Sequence, residues 1–160
     1  MIKVKKSVWK PYVLFILLSE AVGGLAGWLT RDGVMAYDAV VKPALTPPDS
    51  VFPVVWSILF ALMGIGAAMI WRASASRERS CSLMIFAIQL IVNFFWSLIF
   101  FNFMAFGFAF LWLMLLWVLI LLMILSYRKV SKTAAWLQVP YFIWVTFAAY
   151  LNWAVWMLNK

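Results

Sequence analysis

Phe106-Gly-Phe-Ala-Phe-Leu-Trp-Leu-Met-Leu-Leu-Trp-Val-Leu-Ile-Leu-Leu-Met-Ile-Leu-Ser126 runs without one charged side chain. A helix needs about 20 such residues to cross the roughly 30 Å hydrocarbon core of a bilayer. Four further stretches are as long and nearly as apolar, with Glu20 in the first as their one charged side chain: Pro11–Thr30, Val51–Trp71, Ser82–Phe101 and Ala134–Leu158. The composition agrees, since 68% of the 160 residues are hydrophobic and 11% are charged. An ordinary soluble domain is about 45–50% apolar and about 25% charged. A fold this small cannot hide so much apolar surface from water, so the excess must face lipid. The reading is an all-α membrane protein, a five-transmembrane-helix bundle, forming a single domain over 1–160. Each span is helical because lipid offers its backbone no hydrogen-bond partner.

The connections set the topology. Asn102–Ala105 fits a tight hairpin between the third and fourth spans, while Arg31–Ser50 is a longer loop or lid with Pro43, Pro47, Pro48 and three aspartates. Counted on alternate sides, Lys3, Lys5, Lys6, Lys10, Arg72, Arg77, Arg79, Arg128, Lys129 and Lys132 oppose only Arg31, Lys42 and Lys160. The positive-inside rule then places the N-terminus in the cytoplasm and the C-terminus outside. A four- or six-span scheme would spoil that asymmetry. The basic residues lie in short clusters between apolar runs, which explains the net charge of +8 without a nucleic-acid partner. The N-terminal basic run followed by an apolar stretch resembles a signal peptide, but Glu20 and Gly23-Gly24 interrupt it, so it reads as a retained first span.

Several chemistries drop out. One cysteine, Cys81, allows no intramolecular disulfide, and the lack of histidine removes imidazole bases and His-ligated zinc or haem. No metal site and no cofactor is expected. Trp9, Trp28, Trp71, Trp136 and Trp156 lie near span ends, where indoles favour headgroups. Trp56, Trp96, Trp112, Trp117 and Trp144 lie deeper. Within the spans, Glu20 is the one acidic residue, either a functional carboxylate or one packed between helices near Ser19. Gln89, Asn93 and Trp96 share one face of the third helix, and Trp144, Ala148 and Asn152 share one face of the fifth. Such faces either bond helices together or line a common cavity. Pro140 predicts a kink that opens space beside Tyr141 and Trp144. Gly23-x-x-x-Gly27 and Gly64-x-x-x-Ala68 are small-residue patterns that allow close helix approach.

Three ordered segments carry a resemblance. Tyr37-Asp-Ala-Val-Val-Lys42-Pro43-x-x-x-Pro47-Pro48, followed by Phe52-Pro-Val-Val-Trp56-Ser-Ile-Leu-Phe60-Ala-Leu-Met63-Gly64, resembles the hallmark of the TspO/MBR family. This family comprises tryptophan-rich sensory proteins and translocator proteins, the latter also called peripheral-type benzodiazepine receptors. Gln89-Leu-Ile-Val-Asn93-x-x-Trp96-x-x-x-Phe100-Phe101 is similar to its third helix, and Pro140-Tyr141-x-x-Trp144-x-x-Phe147-Ala148-x-x-Leu151-Asn152 to its fifth. The resemblance implies a five-helix bundle, often a homodimer, that binds porphyrins such as protoporphyrin IX and other flat hydrophobic ligands. It implies a pocket among the helices closed by the first loop. Tyr37, Lys42, Pro43, Pro47 and Pro48 match the lid, and Trp56, Phe60, Asn93, Trp96, Tyr141, Trp144, Phe147 and Ala148 match the pocket. Some bacterial relatives are associated with light-dependent porphyrin degradation through two pocket tryptophans, which correspond to Trp56 and Trp144.

The resemblance therefore predicts a membrane receptor or sensor, with photo-oxidative porphyrin degradation as the one enzymatic activity to consider. The alternative is a transporter of porphyrins or related amphiphiles, against which the absence of paired internal repeats counts. Two family tryptophans in the lid are replaced, by Ala36 and Leu45. Both changes weaken any lid contact with ligand. The cholesterol-type pattern of animal relatives is missing, since Tyr150 is followed by no basic residue before Lys160, and Leu125-Ser-Tyr127-Arg128-Lys129 carries little weight. A bacterial cell membrane is the expected location.

Overall fold

A computed structural model describes residues 8–160, which leaves Lys3, Lys5 and Lys6 outside the described residues. Six α-helices follow in order: α1 (Lys10–Tyr37), α2 (Val51–Arg72), α3 (Arg77–Ser97), α4 (Phe106–Val130), α5 (Lys132–Trp136) and α6 (Val139–Leu158). A π-helical turn, Leu98–Asn102, continues α3. Joined as Arg77–Asn102 and Lys132–Leu158, these give five helical units long and apolar enough to cross a membrane. The protein is a multi-pass, all-helical membrane protein. Its outer surface fits lipid: Leu111, Leu115, Val118, Leu122 and Leu125 form an exposed apolar stripe along α4.

Several boundaries differ from the sequence reading, with α3 beginning at Arg77 rather than Ser82 and α4 running on to Val130 past Ser126. α1 continues seven residues past Thr30 to Tyr37, so Tyr37 stands on a helix and the irregular connection is 38–50. Nothing in Arg31–Tyr37 breaks a helix; the prolines that do so begin at Pro43. The fifth span is broken rather than bent, because Pro140 falls in the first turn of α6, where a missing N–H is tolerated. At the break, the Gln138 side chain donates to the Leu62 carbonyl of α2 at 3.3 Å. A Cβ on Gly66 would strike that amide, so glycine makes room for it.

The helices form a ring in which α1 packs on α2, α2 on α5, the α5–α6 unit on α4, α4 on α3, and α3 back on α1. The α1–α2 seam is the tightest, since a Cβ on Gly64 would lie 2.5 Å from Cα of Ile16. Gly24 and Gly27 behave differently, with nothing within 4 Å of a Cβ at either position. Close packing therefore involves Gly64 and Gly23 rather than a continuous stripe through Gly27. Arg72 donates to the Tyr12 hydroxyl at 3.2 Å and Arg79 to the Trp71 carbonyl at 3.0 Å, so one end of the bundle gathers basic residues. At the other end, Asn102 donates to the Leu29 carbonyl at 3.0 Å and docks the α3–α4 hairpin against α1.

Candidate functional site

α6 packs chiefly on α4 and meets α3 through long polar side chains, which leaves a gap between α6 and the α1–α2–α3 side of the bundle. The gap is a cavity of about 550 Å³. That size is within the roughly 300–1,000 Å³ usual for small-molecule sites. Its walls come from α1, α2, α3, the π turn and α6, with Asp38, Thr46 and Asp49 of the loop at the mouth.

The α2 wall follows from helical spacing. Phe52, Trp56 and Phe60 recur every fourth residue and all reach the cavity. Trp56 lies 5.6 Å from Phe60 and 6.5 Å from Trp96 between ring centroids, with interplanar angles of 31° and 34°. Trp96 continues to Phe100 at 5.4 Å, and Phe100 to Tyr37 at 5.3 Å. From α6, Trp144 meets Phe52 edge-on at 5.9 Å. Tilted and edge-on pairs at these distances are favourable arrangements of aromatic quadrupoles. The result is a slot with indole and phenyl faces on several sides.

Hydrogen bonds hold the polar part of the wall. Trp96 Nε1 donates to Asn152 Oδ1 at 3.2 Å, and Asn152 Nδ2 donates to the Phe106 carbonyl at 2.8 Å. Deeper in, the Tyr141 hydroxyl donates to Gln89 Oε1 at 2.9 Å and accepts from Asn93 Nδ2 at 2.6 Å. Gln89 Nε2 contacts Met63 Sδ at 3.5 Å. Buried amides demand such partners. The relay fixes the Asn93 amide through its Nδ2. The Trp144 Nε1–H is buried without a partner among the described residues.

The structure thus brings Tyr37, Trp56, Phe60, Asn93, Trp96, Trp144 and Ala148 to one cavity. It does not bring the rest of the expected set there. Tyr141 is fully buried behind the wall, 6.2 Å from Trp56, and acts through Asn93. Phe147 turns away to pack on Trp144 at 5.7 Å and Tyr150 at 6.5 Å. Of the deep tryptophans, Trp112 and Trp117 instead join helices, bonding Val92 O at 2.8 Å and Thr146 Oγ1 at 2.9 Å.

The expected loop residues Lys42, Pro43, Pro47 and Pro48 stay outside the cavity lining. Lys42 binds Asp38 at 2.9 Å, approaches Asp49 at 4.0 Å and sits 4.9 Å over the Tyr37 ring. The Pro43 carbonyl accepts the Thr46 hydroxyl at 2.7 Å, and the Pro48 carbonyl accepts Val51 N–H at 2.9 Å, starting α2. Pro47 lies between these turns and does not reach the cavity. Asn159, at the end of α6, clasps Val41 by donating to its carbonyl at 2.9 Å and accepting its N–H at 3.1 Å. The lid replacements fall outside the cavity, with Ala36 exposed and Leu45 64% exposed.

Sequence reasoning missed Phe52, Asp38, Thr46 and Asp49 as lining residues and left Glu20 open between two roles; Glu20 also faces the cavity. The four-residue spacing of Phe52 from Trp56 was a usable signal. The loop residues carried none, because which of them turns inward depends on the fold of 38–50.

Comparison with known proteins matches the sequence to one family. The TspO/MBR family profile covers residues 15–157. The chain is 41% identical over 151 residues to the tryptophan-rich protein TspO of Chlorobaculum tepidum, spanning 91% of this chain and 94% of that one. It is 34% identical over 155 residues to the translocator protein of Bos taurus, spanning 95% and 92%. Protein CrtK of Rhodobacter capsulatus is 36% identical over 140 residues, 87% of each chain. On this coverage and identity, the chain belongs to the TspO/MBR family.

Proposed function

We propose that this protein is a membrane receptor for tetrapyrroles of the protoporphyrin type and other flat hydrophobic ligands. The observation that carries the reading is the cavity between α6 and the α1–α2–α3 wall, where Trp56, Phe60, Trp96 and Trp144 offer ring faces to a planar ligand. A flat apolar molecule arriving from lipid gains contact with several aromatic faces at little cost in ordering, because the walls are already packed. Trp56 and Trp144 are the indoles assigned to light-dependent breakdown of a bound macrocycle, in which the photoexcited ring and dioxygen supply the oxidising chemistry. The protein acts in a bacterial cell membrane as a homodimer, with the lysine- and arginine-rich end in the cytoplasm.

The test is a dark titration of detergent-purified protein with protoporphyrin IX, followed by quenching of tryptophan fluorescence. Saturable quenching is expected, weakened roughly fivefold by Trp144→Phe, as befits exchange of the indole for a smaller ring at a cost of about 1 kcal/mol. Phe147→Ala should weaken binding less than Trp144→Phe does, because its ring is outside the cavity and reaches it only through Trp144. Non-saturable partitioning, or a Trp144→Phe variant that binds like the parent, refutes the assignment.

A further inference from the structure

The five carboxylates of the chain are unevenly placed. Asp32, Asp38 and Asp49 lie at the loop end and Glu20 faces the cavity, so Glu78 is the one acidic side chain at the opposite end. That end carries Lys10, Arg72, Arg77, Arg79, Arg128, Lys129 and Lys132, and Glu78 forms no ion pair among the described residues. Here the end of α2 and the starts of α1 and α3 enclose a crevice of about 520 Å³, whose lining includes Val8, Pro11, Trp71, Arg72, Ser74 and Arg79. Arg72 donates to the Tyr12 hydroxyl at 3.2 Å, with its guanidinium 5.5 Å from the centre of that ring. Arg79 donates from Nε to the Trp71 carbonyl at 3.0 Å and lies 4.7 Å over the indole. Each guanidinium is thus oriented by one hydrogen bond and one ring face, while its other N–H donors meet no acceptor among the described residues. Residues 1–7, although basic, hold no carboxylate that could supply one.

Two cations on one crevice repel each other, and an anion between them relieves the repulsion while filling the empty donors. Guanidinium forks suit the oxygens of a phosphate. The depth of the crevice indicates where that phosphate comes from. Trp71 and Arg72 close the α2 span and Pro11 opens α1, so the crevice sits at the level of lipid headgroups. We propose that it binds the phosphodiester of an anionic glycerophospholipid, held by Arg72 and Arg79, with Val8, Pro11 and the half-exposed Trp71 against the glycerol and the first methylenes of the acyl chains. A zwitterionic lipid offers the same phosphate but brings an ammonium group to a basic end, which disfavours it. A lipid seated there ties the start of α1 to the α2–α3 connection. The crevice shares no lining residue with the aromatic cavity, so this site stands apart from the receptor reading.

The test is native mass spectrometry of the full chain released from non-ionic detergent, after equilibration with equal amounts of phosphatidylglycerol and phosphatidylcholine carrying the same acyl chains. The parent protein is expected to retain phosphatidylglycerol about tenfold more than phosphatidylcholine, and the double variant Arg72→Gln, Arg79→Gln should lose that preference. The double variant Arg128→Gln, Lys129→Gln removes the same charge from the same end, since Ser126 of α4 bonds Ser82 of α3 at 2.7 Å, but neither residue lines the crevice. It should keep the preference within about twofold. Equal retention of the two lipids by the parent overturns the proposal without recourse to any variant. Equal losses in the two double variants overturn it in favour of diffuse attraction to the basic end. A further arm adds glycerol phosphate, a headgroup without acyl chains, at the concentration of the lipid. It should displace little phosphatidylglycerol; displacement as ready as that by a second lipid overturns the lipid assignment and makes the crevice a site for soluble phosphate.

Discussion

Gly64→Ala and Gly27→Ala should move stability in opposite directions. Both replace a helical glycine, and on propensity alone each gains about 1 kcal/mol. At Gly64 the new methyl would stand 2.5 Å from Ile16 Cα, 2.6 Å from its nitrogen and 2.7 Å from the Phe15 carbonyl oxygen. Ordinary carbon contacts need about 3.5–4.0 Å, so α1 must withdraw by roughly 1 Å. All three obstacles are backbone atoms, and no side-chain rotation relieves them. Overpacking of this kind costs about 1–3 kcal/mol, which exceeds the propensity gain at all but its lower limit. At Gly27 nothing lies within 4 Å, so the gain stands alone. The two variants should therefore differ by about 2 kcal/mol, read from SDS-induced unfolding in mixed micelles followed by circular dichroism. Because α1 carries Glu20 and Gly23 into the cavity wall, Gly64→Ala should also weaken ligand binding. A Gly27→Ala variant less stable than Gly64→Ala would refute the packing argument and place Gly27 in a contact between copies.

Tyr141→Phe removes a hydroxyl that serves two buried amides at 2.9 and 2.6 Å, and it should destabilise the bundle by about 1–3 kcal/mol in the same unfolding assay. Ligand affinity should fall with it although the ring never reaches the cavity; unchanged affinity would mean that the Asn93 amide is held by other means. Asn159→Ala opens the clasp on Val41, whose amide should then exchange with solvent roughly tenfold faster by hydrogen–deuterium exchange, with faster ligand association and dissociation. An unchanged Val41 exchange rate would show that Lys42 and the prolines hold the loop alone.

The five crossings and their order were legible in the residues themselves. Runs such as Phe106–Ser126 carry no charge, and a backbone in lipid has no alternative to an internally bonded helix. The family motifs also pointed at the right elements, since Trp56, Trp96 and Trp144 do meet at one cavity. What the residues did not disclose is which side of each helix faces inward. In water an amphipathic stripe reveals that side, but in a bilayer both sides are apolar and the pattern loses its contrast. So Phe147 was indistinguishable from Trp144, although one packs outside and the other lines the slot. The rotation of α6 is set by the break before Pro140, by Gln138 reaching Leu62, and by Trp117 bonding Thr146. The same tertiary contacts retire Tyr141 behind Asn93 and turn Glu20, of open role in the sequence, toward the cavity. Hydropathy is a property of a segment and is determined along the chain; a cavity is a relation between helices, and only their packing decides it.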